Sequence, residues 1–347
     1  MKTRKIIWSL CAFALTAVVT LSACKKDKDD PANGYDVYVA GYEYNGLMAA
    51  KLWKNGKAQY AGGCLTDGTN NASASSVFVS GADVYVAGYE FNGNIYVAKL
   101  WKNGTVQKLT DGTNNSFAYS VYVSGADVYV AGSEEVSGKR VAKLWKNGEA
   151  QNLTDGTNRA EANSVYVSGA DVYVAGYEYK GSNGAVKLWK NGEAQNLTYG
   201  ANNAVANSVY VSGSDVYVVG YEYYGSNNIV KLWKNGEAQN LTDGTNDAEA
   251  NSVYVSGSDV YVAGYEYNGS KNVAKLWKNG EAQVLTDGTN DAVAQSVFIS
   301  GADAYVAGYE YNGRNNVAKL WKNGEAQDLT NGAGGAGAWS VFIASHD

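Results

Sequence analysis

The chain runs in short stretches where apolar and polar positions alternate with the period of two that marks β-strands. The clearest stretch is Asp259 to Tyr267, apolar on both faces from Val260 to Ala263, which predicts a strand buried on both sides. Ser252 to Ser256, Asn272 to Lys278 and Glu281 to Thr286 read as three further strands, so the unit is an a–b–c–d meander with Asp259 to Tyr267 as b. Gly257-Ser258 joins a to b, and Asn279-Gly280, the strongest short hairpin signal, joins c to d. The d-to-a connection reads as the longest, for example Asp243 to Asn251, as a crossing from the rim of one sheet to the axis of the next requires.

This pattern is written seven times. Leu-Trp-Lys-Asn-Gly places Trp at 53, 101, 145, 189, 233, 277 and 321, and Ser-Val-aromatic begins at Ser76, Ser120, Ser164, Ser208, Ser252, Ser296 and Ser340, always 44 residues apart. The first copy carries extra residues at Tyr60 to Cys64. A four-stranded meander with this period is a propeller blade. The ordered chain opens on a strand b, Asp36 to Tyr44, and closes on a strand a, Ser340 to Ser345, so the last strand can complete the first blade and remove two sheet edges. The expected fold is all-β: a seven-bladed β-propeller of four-stranded antiparallel blades, closed by the C-terminal strand joining the first blade. Over about Tyr35 to Asp347 the chain resembles seven-bladed β-propellers, without a Gly-His to Trp-Asp signature or paired-glycine kelch motifs. It is similar to the repetitive propellers of uncharacterised Bacteroidetes surface lipoproteins, a resemblance that implies fold and location and little about activity.

The N-terminus reads as an address. Lys2, Arg4 and Lys5 precede an apolar run, Ile6 to Leu21, of signal-peptide length. Leu21-Ser22-Ala23-Cys24 resembles a bacterial lipobox, which implies cleavage before Cys24 and its lipidation. The expected division is a lipoprotein signal peptide at 1–23, lipidated Cys24 and a flexible tether at 24–34, and the propeller at 35–347. Lys25 after the cysteine looks like sorting to the outer membrane. The charged run to Asp30 is similar to surface-export signals, and a periplasm-facing protein is the alternative. Loss of Lys2, Arg4 and Lys5 takes the formal charge from −6 to −9. An acidic chain without a basic stripe is a poor nucleic-acid binder. The expected partners are the membrane, through the anchor, and a glycan or surface protein; the propeller is expected to be monomeric.

Composition narrows the chemistry. The single His346 and three Cys rule out a His-based triad, a multi-His metal site and a four-cysteine zinc site, and no cofactor or metal is expected. Asp-Gly-Thr-Asn-Asp, at Asp243 to Asp247 and Asp287 to Asp291, offers oxygen ligands for calcium but lacks EF-hand spacing and also reads as a turn.

The b–c and d–a loops vary among copies and share one face; the constant Asn-Gly and Gly-Ala or Gly-Ser turns share the other. Strand b ends beside the variable face in an aromatic-Glu-aromatic motif: Tyr89-Glu90-Phe91, Tyr177-Glu178-Tyr179, Tyr221-Glu222-Tyr223, Tyr265-Glu266-Tyr267 and Tyr309-Glu310-Tyr311; the third copy reads Ser133-Glu134-Glu135. Rings beside carboxylates suit sugars, whose C–H faces stack while hydroxyls bond to oxygen. Every copy also carries a strand-c lysine, such as Lys187, so the stronger expectation is that the glutamates pair across the hairpin while the tyrosines pack between blades. The repeated Trp is expected to pack between blades, and Trp339, in the last Gly-rich stretch, to be exposed. Near-identical blades supply the same groups seven times, which argues against a unique catalytic constellation. The expected function is a lipid-anchored, non-catalytic module that recognises glycan or protein through the variable face. The alternatives are a polysaccharide-acting enzyme using strand-b glutamates and an adhesion spacer without a defined ligand.

Overall fold

The computed structural model describes residues 34–346; the expected signal peptide, Cys24 and most of the expected tether lie outside the described residues. Seven four-stranded antiparallel sheets form the blades. The first joins β28 (Ala336–Ser345), β1 (Tyr35–Tyr44), β2 (Met48–Lys54) and β3 (Lys57–Ala58). The rest are sequential meanders; the fourth is β12 (Ala160–Ser168), β13 (Asp171–Lys180), β14 (Asn183–Lys190) and β15 (Glu193–Asn196). Closure runs from Tyr35 opposite Ser345 to Glu43 opposite Ala336. The Tyr305 hydroxyl meets that of Tyr35 at 2.6 Å, and His346 Nε2 lies 3.0 Å from Asp36.

Strand a is longer than the alternation predicts. In the sixth blade β20 spans Ala248–Ser256, four residues earlier than expected, and the d–a connection shortens to match. The cause is a β-bulge between Ala250 and Ser252, repeated in every blade (between Ala162 and Ser164 in the fourth). The extra residue reverses the alternation, so the first half of the strand does not read as a continuation of the second. Trp339 follows the same rule. It lies within β28, half-buried, stacked on Tyr42 at 5.6 Å and donating from Nε1 to Ser73 Oγ. The expected exposed loop is a strand.

The bulge brings two backbones close together and sets one glycine. A Cβ on Gly176 of β13 would lie 2.0 Å from the Glu161 carbonyl oxygen, and Gly88, Gly132, Gly220, Gly264 and Gly308 meet the same oxygen in their own blades. The Gly of Gly-Tyr-Glu-Tyr is therefore a clearance.

Ser-Val-aromatic builds two closed circuits around the axis. Strand a leaves backbone N–H groups on an edge with no neighbouring strand. The amide of each Val (Val77, Val121, Val165, Val209, Val253, Val297, Val341) donates at 3.1–3.2 Å to the Ser Oγ of the preceding blade. The next residues, Phe78, Tyr122, Tyr166, Tyr210, Tyr254, Phe298 and Phe342, touch ring to ring at 4.7–5.1 Å all the way round. Between blades, each repeated Trp is at most 2% exposed; Trp189, for example, packs on Tyr129, Ala131 and Leu144 of the third blade.

The constant face repeats one polar unit. Asp171 accepts from Lys190 Nζ at 2.7 Å and from Asn191 Nδ2 at 2.8 Å, while Lys190 sits 5.3 Å over the Tyr173 ring. Asn191 takes φ +53° and Gly192 φ +86°, the left-handed pair that this hairpin turn requires.

Candidate functional site

The structure divides the strand-b motif between two faces. Glutamate and its flanking aromatics alternate along the strand, so they point to opposite sides of the sheet. Each glutamate meets the lysine of strand c: Glu178–Lys187 at 2.8 Å, Glu222–Lys231 at 3.0 Å, Glu90–Lys99 at 3.3 Å, Glu310–Lys319 at 3.2 Å, with Glu266 bonded to Lys275. The first aromatic of each motif faces strand a of its own blade: Tyr89 is opposite Ser73, Tyr177 opposite Glu161, Tyr221 opposite Val205, Tyr265 opposite Glu249 and Tyr309 opposite Val293. The second aromatic reaches the rim of the variable face, where Tyr223 and Tyr267 are exposed and Phe91, Tyr179 and Tyr311 half-buried.

The Asp-Gly-Thr loops have local partners. Asp67, Asp111, Asp155, Asp243 and Asp287 each accept the backbone N–H of the threonine two residues on, at 2.8–2.9 Å. The second acid binds the start of strand c: Asp247 accepts from Asn228 N at 2.8 Å and Asp291 from Asn272 N at 3.0 Å. Among the described residues no group of three or more His, Cys, Asp or Glu is placed to hold a metal. Cys64 Sγ lies 3.5 Å from the Gly62 carbonyl in the outer-edge insertion.

The copies part company at the strand-a position just before the bulge, where Ser73, Phe117, Glu161, Val205, Glu249, Val293 and Gly337 stand. The sequence pattern placed this position in the variable d–a loop of the candidate face, at Phe117, Glu161, Val205 and Glu249; the structure places it on strand a. At the junction of the third and fourth blades it gathers unlike groups. Glu161 on β12 is 6% exposed. Arg140 of β10 (Lys139–Lys146) donates to its Oε1 at 2.6 Å, and Arg159, in the loop before β12, donates to the same oxygen at 2.8 Å. Burial pushes the Glu161 carboxyl up, but the hydrogen bond from Arg159 and the charge of Arg140 outweigh it and hold the group below the usual carboxylate range. The Arg140 guanidinium lies 4.8 Å over Phe117 of β8 (Ser116–Ser124), and Arg159 lies 5.8 Å over Tyr179. Phe117 continues into a ring cluster with Tyr89 at 5.1 Å and Tyr96 at 5.6 Å.

Two blades on, the same position holds the opposite electrostatics. Glu249 has neutral partners, with Asn228 Nδ2 at 3.1 Å. Burial first, and then the charge of Asp247, raises its carboxyl above the usual value despite bonds from Tyr265 and Asn228. Where Glu161 has two guanidiniums, Glu249 has an aspartate.

The variable face also displays bare rings. Tyr199, in the loop that elsewhere carries Asp-Gly-Thr, is 76% exposed with Lys180 6.0 Å from its centroid, and Tyr224, at the b–c turn of the fifth blade, is 68% exposed. On the constant face a cleft of about 210 Å³ between the sixth and seventh blades is lined by Tyr261, Lys278, Gln283 and Gly324. Its lysine is already paired with Asp259.

No family model and no curated protein matches the sequence. Among solved structures the chain is similar to the Pyrococcus horikoshii acylaminoacyl peptidase, at 14% identity and a TM-score of 0.48 over 85% of this chain and 52% of that one. It is also similar to TolB from Acinetobacter baumannii, at 13% identity and a TM-score of 0.46 over 72% of this chain and 63% of that one. The chain thus spans about half of the first and under two thirds of the second. The seven-bladed ring itself stands on the strand pairings described above.

Proposed function

We propose that the protein is a non-catalytic carbohydrate-binding propeller, held at the outer membrane by a lipid on Cys24, with its ligand on the variable face. One observation carries the reading. Of the ten large apolar side chains exposed among the described residues, seven (Tyr44, Leu47, Val136, Tyr199, Tyr223, Tyr224 and Tyr267) sit at the ends of strand b, in b–c turns or in d–a loops. Rings left in water and concentrated on one face mark a contact surface. Tyrosines among amides and carboxylates favour sugar over a flat apolar partner, because each ring offers a stacking face and a polar tip. Repetition around the ring would raise avidity for a polymeric glycan. The glycosidase alternative has less support, since each strand-b glutamate carries a lysine rather than facing a second carboxylate.

A dense glycan array tests the binding. Wild-type protein is expected to bind, and Tyr199→Ala with Tyr224→Ala to weaken the apparent affinity about tenfold, in line with the loss of two stacking contacts. Silence across every glycan would remove the reading. The anchor is tested separately: Cys24→Ser should lose palmitate labelling and move to the soluble fraction, and a variant that stays labelled and membrane-bound would exclude Cys24 as the lipid site.

A further inference from the structure

Residues 34–346 contain three arginines, and two of them converge on one carboxylate. A buried carboxylate needs a single cation. Glu161 has two, and their side chains remain 33% and 49% exposed, so one positive charge in excess faces solvent. Each guanidinium carries five N–H donors, and one nitrogen of each is bonded to Glu161, which leaves most of both forks for another acceptor. The Arg140 guanidinium lies over the Phe117 ring and that of Arg159 over Tyr179, contacts that help to hold both side chains in place. Three other charges lie close, Glu135, Lys139 and Asp155. Glu135, opposite Arg140 in the hairpin, is hydrogen-bonded to Asn115 Nδ2 at 3.2 Å, and Lys139 donates to the Thr157 carbonyl. Asp155, in the same loop as Thr157, faces Lys139, so these three acids and three bases balance formally and what distinguishes the junction is the pair of exposed guanidinium forks rather than a net charge.

The fold does not require this cluster. At the junction of the sixth and seventh blades the corresponding residues are Asn272, Asp291 and Val293, and there the Asp291 carboxylate accepts the Asn272 amide instead. Arg140, Arg159 and Glu161 replace a structural bond with exposed guanidinium groups, beside the rings of Phe117 and Tyr96.

We propose that Arg140 and Arg159, held in place by Glu161, form a subsite for the carboxylate of an acidic sugar, so that the glycans taken by the variable face carry uronate. A planar two-donor fork matches a carboxylate, and the adjacent rings suit the apolar face of the pyranose that bears it. This inference rests on the carbohydrate reading of that face and narrows it.

The test is affinity electrophoresis and calorimetry of the full chain with polygalacturonate, alginate and hyaluronan. Methyl-esterified polygalacturonate, the same polymer without its charge, is the comparison. The variant Arg140→Asn/Arg159→Asp/Glu161→Val installs the residues that the sixth–seventh junction carries at these three positions. Wild type is expected to bind at least one uronate polymer about tenfold more tightly than the methyl ester, in a salt-sensitive way. The triple variant should keep its melting temperature and lose that preference. A triple variant that binds the uronate polymers as tightly as wild type would overturn the subsite. Binding confined to neutral glycans and unchanged in the variant would overturn the subsite and leave the carbohydrate reading standing. No binding to any glycan would overturn both.

Discussion

A chain ending at Gly335 is expected to unfold as a whole rather than lose one strand. Residues 336–345 supply strand a of the first blade, and their loss exposes β1 from Tyr35 to Glu43 along its length. It also removes Val341 and Ile343 from the core, Phe342 from the aromatic circuit, and both serine links that join the first blade to its neighbours. Burial of Val341 and Ile343 alone contributes about 3–6 kcal/mol. Domain stabilities are about 5–15 kcal/mol, so the remainder of the losses should exhaust the margin. Circular dichroism should show the single cooperative melt replaced by a broad, low-temperature transition, and size exclusion should show association through the open edge. A synthetic peptide of residues 336–347 should restore the melt. A truncated chain that melts within a few degrees of the full one would show that closure by β28 is not what holds the ring.

Gly176→Ala is expected to cost about 3 kcal/mol, at the upper end for overpacking, because the new methyl meets a carbonyl oxygen at 2.0 Å and the bulge must move. That oxygen belongs to Glu161, so the shift should also disturb the arginine pair and weaken uronate binding. Gly264→Ala meets the Glu249 carbonyl at the same 2.0 Å, far from the pair. It should destabilise to a similar degree and leave uronate binding unchanged. Chemical denaturation and calorimetry on both variants check this. Equal binding losses would mean that general loosening, and not displacement of Glu161, is responsible.

Blade number and hairpins were legible in the sequence because each rests on local chemistry or spacing, and ring closure because the pattern opens on a strand b and closes on a strand a. Asn-Gly marks a turn with two positive φ angles, and the 44-residue interval is a property of spacing alone. The Glu–Lys pairing was legible as one of two readings, since strands b and c are neighbours in sequence. The site position was legible only as variation between copies, and not as part of a strand. Ala160-Glu161-Ala162 continues the strand, but Asn163 inserts a residue and turns the alternation over, so Glu161, Phe117 and Glu249 looked like loop. The available signal was the Ala-x-Ala that flanks this position in six of the seven copies, small residues where a strand passes another closely. Arg140 is 21 residues from Glu161 and in a different blade, so its contact follows from the packing of neighbouring sheets. The aromatic circuit was spelled out in every Ser-Val-aromatic, on the strand a expected to line the axis; its ring-to-ring closure follows from the packing of neighbouring blades.

The first described residue, Gly34, stands at the start of β1, and His346 donates its amide to the Gly34 carbonyl. Strand b begins at the constant face and ends at the variable one, so the chain enters the propeller from the side bearing the Asp–Lys–Asn units. A lipid anchor upstream would set that side towards the bilayer. The exposed tyrosines and the arginine pair would then look outward, presented away from the membrane by the direction of one strand.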